Sequence, residues 1–177
     1  MCIRDRDLTE GGIRVPFAMV GPGITPNSQT DTPVVSYDFL PTLADLAGST
    51  KNLPKSLDGG SFRALFNDPD AEVERPFKGL VFHFPHYNRV GMNEPQSAIR
   101  LGDYKLIDFP ASKRRLLFNL KNDIGESTDL SQIKPDVADH LSQQLNKYLT
   151  SVDAEKPRDS GSSVSYTHLT LPTNREV

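Results

Sequence analysis

Three apolar-rich stretches in the second half of the chain, LVFHFP (residues 80–85), SAIRLGDYKLIDF (97–109) and RLLFNL (115–120), constrain the fold more than anything else. From Arg75 onward the texture is that of strands: aliphatic and aromatic residues in short runs bounded by Gly, Pro, Asp and Ser. Gly102-Asp103 splits the middle stretch, and a two-residue connection of that kind makes its two arms an antiparallel hairpin. A small antiparallel sheet is therefore expected. Downstream, Pro135 can open a helix at its first position, where its missing N–H is not needed. Val137, Leu141, Leu145, Tyr148 and Leu149 then form one apolar stripe against polar Asp139, Gln143, Asn146 and Lys147. A helix with that stripe should lie across the sheet.

The first half reads differently. In TEGGIRVPFAMVGPG (9–23), a Gly-Gly pair that permits tight backbone conformations stands between Glu10 and Arg14, directly before an apolar run. Residues 15–20 read as a short strand buried on both faces, stopped by Gly21-Pro22-Gly23. A buried strand with a charged mouth is where α/β proteins place ligand sites. The plainer reading is an ion pair between Glu10 and Arg14 that pins the turn. Further on, Ser36 or Asp38 can cap a helix carrying Phe39, Leu43, Leu46 and Ala47, with Pro41 early in it and Gly48 as its stop. The loop GSTKNLPKSLDGG (48–60) leads to a short apolar helix around residues 61–66.

At 177 residues and 36% hydrophobic, the chain can bury a core and is one domain, or one domain with a small appendage. A net charge of −3 and the absence of a basic stripe with interleaved aromatics argue against nucleic acid. No apolar run nears the roughly 20 residues that span a bilayer, and no signal segment opens the chain. The single cysteine, Cys2, excludes an internal disulfide framework and cysteine metal sites. MCIRDR at the start and SYTHLTLPTNREV at the end share no periodicity with what they flank, and both resemble translated sequencing adapter. They are set aside, with Cys2 and His168. The polar segment SVDAEKPRDSGSS (151–163) reads as linker or disorder.

The ordered set EGGIRVPFAMVGPG, VVSYDFLPTLADLAG, LDGGSFRALF, FHFPHY, SAIRLGDYKLI and LFNLKNDIGESTDLS resembles the C-terminal portion of a type I, formylglycine-dependent sulfatase of the alkaline-phosphatase-like superfamily. The resemblance covers nearly all of residues 7–149. It implies an α/β to α+β fold: residues 7–74 as the C-terminal end of an α/β catalytic domain, and 75–153 as a C-terminal subdomain of antiparallel sheet plus helix. Residues 1–6 and 154–177 are then adapter-like artefact, disordered linker and adapter-like tail. Such enzymes attack sulfur with a hydrated formylglycine made from a C/S-x-P-S/A-R motif, beside a calcium ion held by Asp and Asn. No such motif occurs here. A sulfate ester leaves as a dense anion, so the site must supply cationic or metal stabilisation and a proton for the alkoxide.

The family's sulfate-contacting lysine stands five residues before the Glu of E-G-G, a position occupied here by Asp5. No catalytic residue and no metal ligand is therefore expected on this chain, which should be inactive alone. By the same resemblance Glu10 and Arg14 support the turn behind the reacting groups. In HFPHYNR (83–89), His83, His86, Asn88 and Arg89 could hydrogen-bond sugar hydroxyls or a second anion, with His83 alternatively a satisfied histidine of the sheet. His140 should be solvated, RLGDYKL a hairpin with a solvated charged tip, and SKRRLL a basic loop face. The resemblance thus implies an enzyme of sulfated saccharide, periplasmic or secreted, completed by an N-terminal part of the same chain. A phosphodiesterase or phosphonate hydrolase of the same superfamily, or a non-catalytic carbohydrate-binding module, are the other readings.

Overall fold

The computed structural model describes residues 7–87 and 94–157. Its centre is a four-stranded antiparallel meander in the order β1 (Leu80–Phe84), β2 (Gln96–Leu101), β3 (Tyr104–Phe109) and β4 (Arg114–Asn119). Gly102, at φ 60°, makes the tight turn that pairs Leu101 with Tyr104, as the two-residue connection requires. Register then sorts the side chains. Val81, Ile99, Leu106 and Leu117 share one face, whereas Phe82, Ala98, Ile107 and Leu116 share the other.

The long helix Pro135–Ser151 lies against the first face, burying Ala138, Leu141 and Leu145 on Ile99, Leu106 and Leu117. Pro135 opens it as expected. The second face is covered by the start of the chain, where Leu8 packs on the cluster of Ala98, Ile107, Phe109, Phe118 and Leu120. The sheet is thus sandwiched between its last helix and the residues just before Glu10. We call the one-turn helix Glu10–Ile13 α1, Phe39–Leu46 α2 and Pro135–Ser151 α3.

Residues 15–20 form no strand: they run in extended or irregular conformation with Val15, Phe17, Met19 and Val20 exposed. A strand needs neighbours to satisfy its ladder, and among the described residues none pairs with this segment. The capping expectation for α2 is also modified. Asp38 occupies the N-cap position, but its side chain does not cap α2; instead it accepts the Val35 N–H at 2.9 Å and the Gly60 N–H at 3.1 Å. It also forms a two-pronged pair with Arg75, Nε to Oδ1 at 2.9 Å and Nη2 to Oδ2 at 2.6 Å. Asp38 is fully buried and is the polar hub of the first half. Gly59 and Gly60 are needed beside it, because a Cβ at either would collide with the carbonyls of Tyr37 and Glu74 respectively. Pro41 is accommodated in the first turn of α2, and Gly48 ends the helix at φ 66°.

The apolar turn at residues 61–66 is a 3-10 helix, Arg63–Phe66, whose Leu65 and Phe66 are buried with Phe62. At the other end the chain stays ordered past α3. The Ala154 N–H bonds to the Leu149 carbonyl at 2.9 Å, and the Glu155 carbonyl lies 2.8 Å from a ring nitrogen of His83, so the linker expected from 154 has its first two residues tied down.

Candidate functional site

The E-G-G turn is built into the sheet rather than lying beside it. Thr9 is the N-cap of α1, and the Gly12 and Ile13 N–H groups both close on its carbonyl, at 2.9 and 3.1 Å. This folds Glu10 inward. Its carboxylate meets the Lys105 ammonium at 2.8 Å, and Glu126 approaches the same ammonium from another side at 2.9 Å. Glu126 also accepts the Glu10 backbone N–H through its second oxygen at 2.7 Å. Lys105 is completely enclosed, so an ammonium there requires carboxylate partners to offset the loss of water.

Glu126 is delivered by a tight loop. Asp123 organises that loop by accepting the N–H groups of Ser127 and Thr128, each at 2.9 Å through Oδ2, which hold its carboxyl below the usual carboxylate range. Glu126 itself sits at φ 54°, a conformation costly for a residue with a side chain. Just upstream of the turn, Gln96 accepts the Leu8 N–H at 3.2 Å and donates to Asp7 at 3.3 Å.

The ion pair expected between Glu10 and Arg14 is not formed. Glu10 points into the sheet towards Lys105, whereas Arg14 leaves α1 in extended conformation and is exposed. Lys105 and Glu126 are the residues that reading the sequence missed. Lys105 stands next to the hairpin tip, where a charged residue is expected to be solvated, yet it alternates in β3 with Ile107 and Phe109, two core residues. Period-two spacing was the signal that placed it on a buried face.

His83 is on the helix-facing side of the sheet, opposite Glu10, so the structure does not bring these two together. Both its ring nitrogens are occupied: Nδ1 lies 2.8 Å from Ser97 Oγ and Nε2 2.8 Å from the Glu155 carbonyl. His86 is exposed after Pro85, its ring edge-on to Phe84 at 5.5 Å. Phe84 pairs with Gln96, so the segment carrying His86 leaves the sheet at the end where Gln96 holds Asp7 and Leu8. Asn88, Arg89 and Asp5 lie outside the described residues. His140 is exposed on α3. Among the described residues no group of three or more His, Cys, Asp or Glu is arranged to hold a metal ion.

A meander with one helix across it and a buried E-G-G turn beneath it fits the C-terminal region of the alkaline-phosphatase-like fold. The solved structure of a protein in complex with its substrate D-glucosamine-2-N,6-O-disulfate shares this fold at a TM-score of 0.54 and 21% identity, over 70% of this chain and 25% of that one. The family described as N-sulphoglucosamine sulphohydrolase, C-terminal, matches residues 4–155, and the chain belongs to it. A sulfatase of Formosa agariphila is 39% identical over 154 residues, 79% of this chain and 28% of that protein. Arylsulfatase K of Mus musculus is 33% identical over 143 residues, 77% of this chain and 25% of that protein. The chain thus spans about a quarter of the length of these curated relatives.

Proposed function

We propose that this chain is the C-terminal part of a sulfuric ester hydrolase acting on a sulfated saccharide, and that its own role is scaffold and substrate recognition. The observation that carries the reading is the Glu10 turn fixed beneath the sheet, because in the resembled family this turn positions the lysine that contacts sulfate. The formylglycine nucleophile and the calcium ligands belong to sequence outside this chain, which contains no C/S-x-P-S/A-R motif. Residues 7–74 complete the catalytic α/β domain and 75–153 form the subdomain that closes over it. The substrate named for the structural neighbour, a disulfated glucosamine, supports a sugar sulfate as the substrate class. The resemblance to the sulfatase family supports a periplasmic or secreted location; among the described residues no helix is long and apolar enough to cross a membrane.

Within this reading, His86 and Arg89 bind the sugar ring and not the sulfur, with Asn88 beside them in the sequence, while Glu10 and Arg14 support the reaction centre from behind; His83, with both ring nitrogens occupied, is a histidine of the sheet. A hydrogen bond to a neutral or charged group is worth roughly 0.5–3 kcal/mol, so losing one recognition side chain costs about twofold to a hundredfold in kcat/KM. His86→Ala and Arg89→Ala in the complete enzyme are expected to lose that factor on the sulfated saccharide while a small aryl sulfate, which does not reach them, is unaffected. Equal losses on both substrates would place these residues in the reaction centre or the fold. This chain by itself is expected to hydrolyse no aryl sulfate above a blank; turnover by it would overturn the reading.

A further inference from the structure

Lys105 heads the largest side chains that are fully enclosed in the described molecule, and it stands on the sheet face of Ala98, Ile107 and Phe118, paired across β2 with Arg100. Its two carboxylate partners come from opposite ends of the sequence, Glu10 and Glu126. Glu126 touches both ends of the contact: one oxygen is ion-paired with the lysine at 2.9 Å without hydrogen-bond geometry, and the other accepts the Glu10 main-chain N–H at 2.7 Å. Side chain and backbone of Glu10 are thereby fixed at once. Apolar packing alone would let α1 slide over the sheet; a buried ion pair does not, because any displacement leaves a charge without its partner. The positive φ of Glu126 and the Asp123 bonds that stabilise its loop show what is spent on presenting that one carboxylate.

We propose that Lys105 and Glu126 are positioning residues: they clamp the E-G-G turn to the C-terminal sheet, so that the sheet sets where the segment preceding Glu10 stands in the reaction centre. The role of that segment rests on the sulfatase reading; the clamp itself does not. The first test is residue-resolved amide exchange on the full chain, comparing the native protein with Lys105→Met and Glu126→Gly. Glycine suits the positive φ of position 126, so that variant removes the carboxylate without straining the loop. The Leu8 and Glu10 amides, whose acceptors are Gln96 and Glu126, are expected to exchange on the order of a hundredfold faster, while the Ile99 and Leu106 amides change by less than about tenfold. Acceleration of all four together would make Lys105 a stability residue only and overturn the proposal, as would unchanged exchange at Leu8 and Glu10. Should Lys105→Met fail to fold, Glu126→Gly decides the matter.

The second test grafts residues 7–157 in place of the matching segment of the 39%-identical bacterial relative. There both variants are expected to lower kcat/KM per folded molecule on p-nitrophenyl sulfate and on D-glucosamine-2-N,6-O-disulfate alike. Unchanged activity per folded molecule would overturn the positioning role. A native graft that folds, keeps the slow exchange and hydrolyses neither substrate would count against the sulfatase reading and leave the clamp standing.

Discussion

The two halves of the chain carry similar helical stripes and treat them in opposite ways. In α3 the stripe is closed off: Leu141 and Leu145 are buried against Ile99, Leu106 and Leu117. In α2 the corresponding residues Leu40, Leu43 and Leu46 remain open to solvent, Leu43 at 58%, and nearby Val15 is 75% and Val20 99% exposed. A stripe predicts a helix, but burial needs a complementary surface. The second half contains its own, and the first half does not among the described residues. Apart from the small cluster of Phe62, Leu65 and Phe66, what orders the first half is polar and aromatic: the Asp38–Arg75 pair, the Gly59-Gly60 backbone packed against Tyr37 and Glu74, and the edge-to-face rings of Phe17, Phe39 and Phe62.

The contrast can be broken most sharply at its polar hub. Arg75→Met leaves Asp38 buried without a counter-ion, and losing one partner of such a pair costs about 3–5 kcal/mol. Protection against amide exchange in residues 33–66 is expected to collapse while the sheet keeps its own. If the sheet loses protection equally, the two halves are one cooperative unit. Leu145→Ala should do the reverse, removing about 2–5 kcal/mol from the sheet and α3, read as a lower midpoint in urea followed by circular dichroism. Leu43→Lys and Val20→Lys are expected to change the unfolding free energy by less than about 0.5 kcal/mol while raising the concentration at which the chain stays monomeric in sedimentation. A large destabilisation would mean that these side chains are packed in solution.

The smallest expected effect is a pH dependence in the sheet. Burial pushes the Asp108 carboxyl above its ordinary 3.8, with the Arg115 guanidinium partly opposing. Because the folded value is the higher one, the charged form disfavours folding, so this group costs stability as pH rises from 3.8 through the folded value and none below it. Asp108→Asn should therefore match the native chain in acid and exceed it at neutral pH. Greater native stability at neutral pH would reverse the assignment.

Local signals made most of the second half legible. Gly102-Asp103 could only be a tight turn, Pro135 could only begin a helix, and the spacing of Leu141 and Leu145 told which way that helix faces. The existence of α2 and its Gly48 stop were equally readable, since both depend on neighbours in sequence. The centre beneath the sheet was half legible. Glu10 stood out beside its glycines, but its partner is 95 residues away, and nothing near Lys105 distinguishes a buried ammonium from a solvated one. Asp38 likewise reads as a helix cap until Arg75 and Gly60 arrive from other segments to claim its oxygens.

By itself, then, the sequence determined α2, α3, their boundaries at Gly48 and Pro135, and the antiparallel sheet, because backbone preferences and apolar periodicity act over a few residues. The tertiary structure decided which charges are enclosed, because the cost of burying Lys105, Glu10, Glu126 and Asp38 depends on partners that only folding brings within 3 Å. It also decided that residues 15–20 are not a strand here, since a strand exists only where another chain segment supplies its hydrogen bonds.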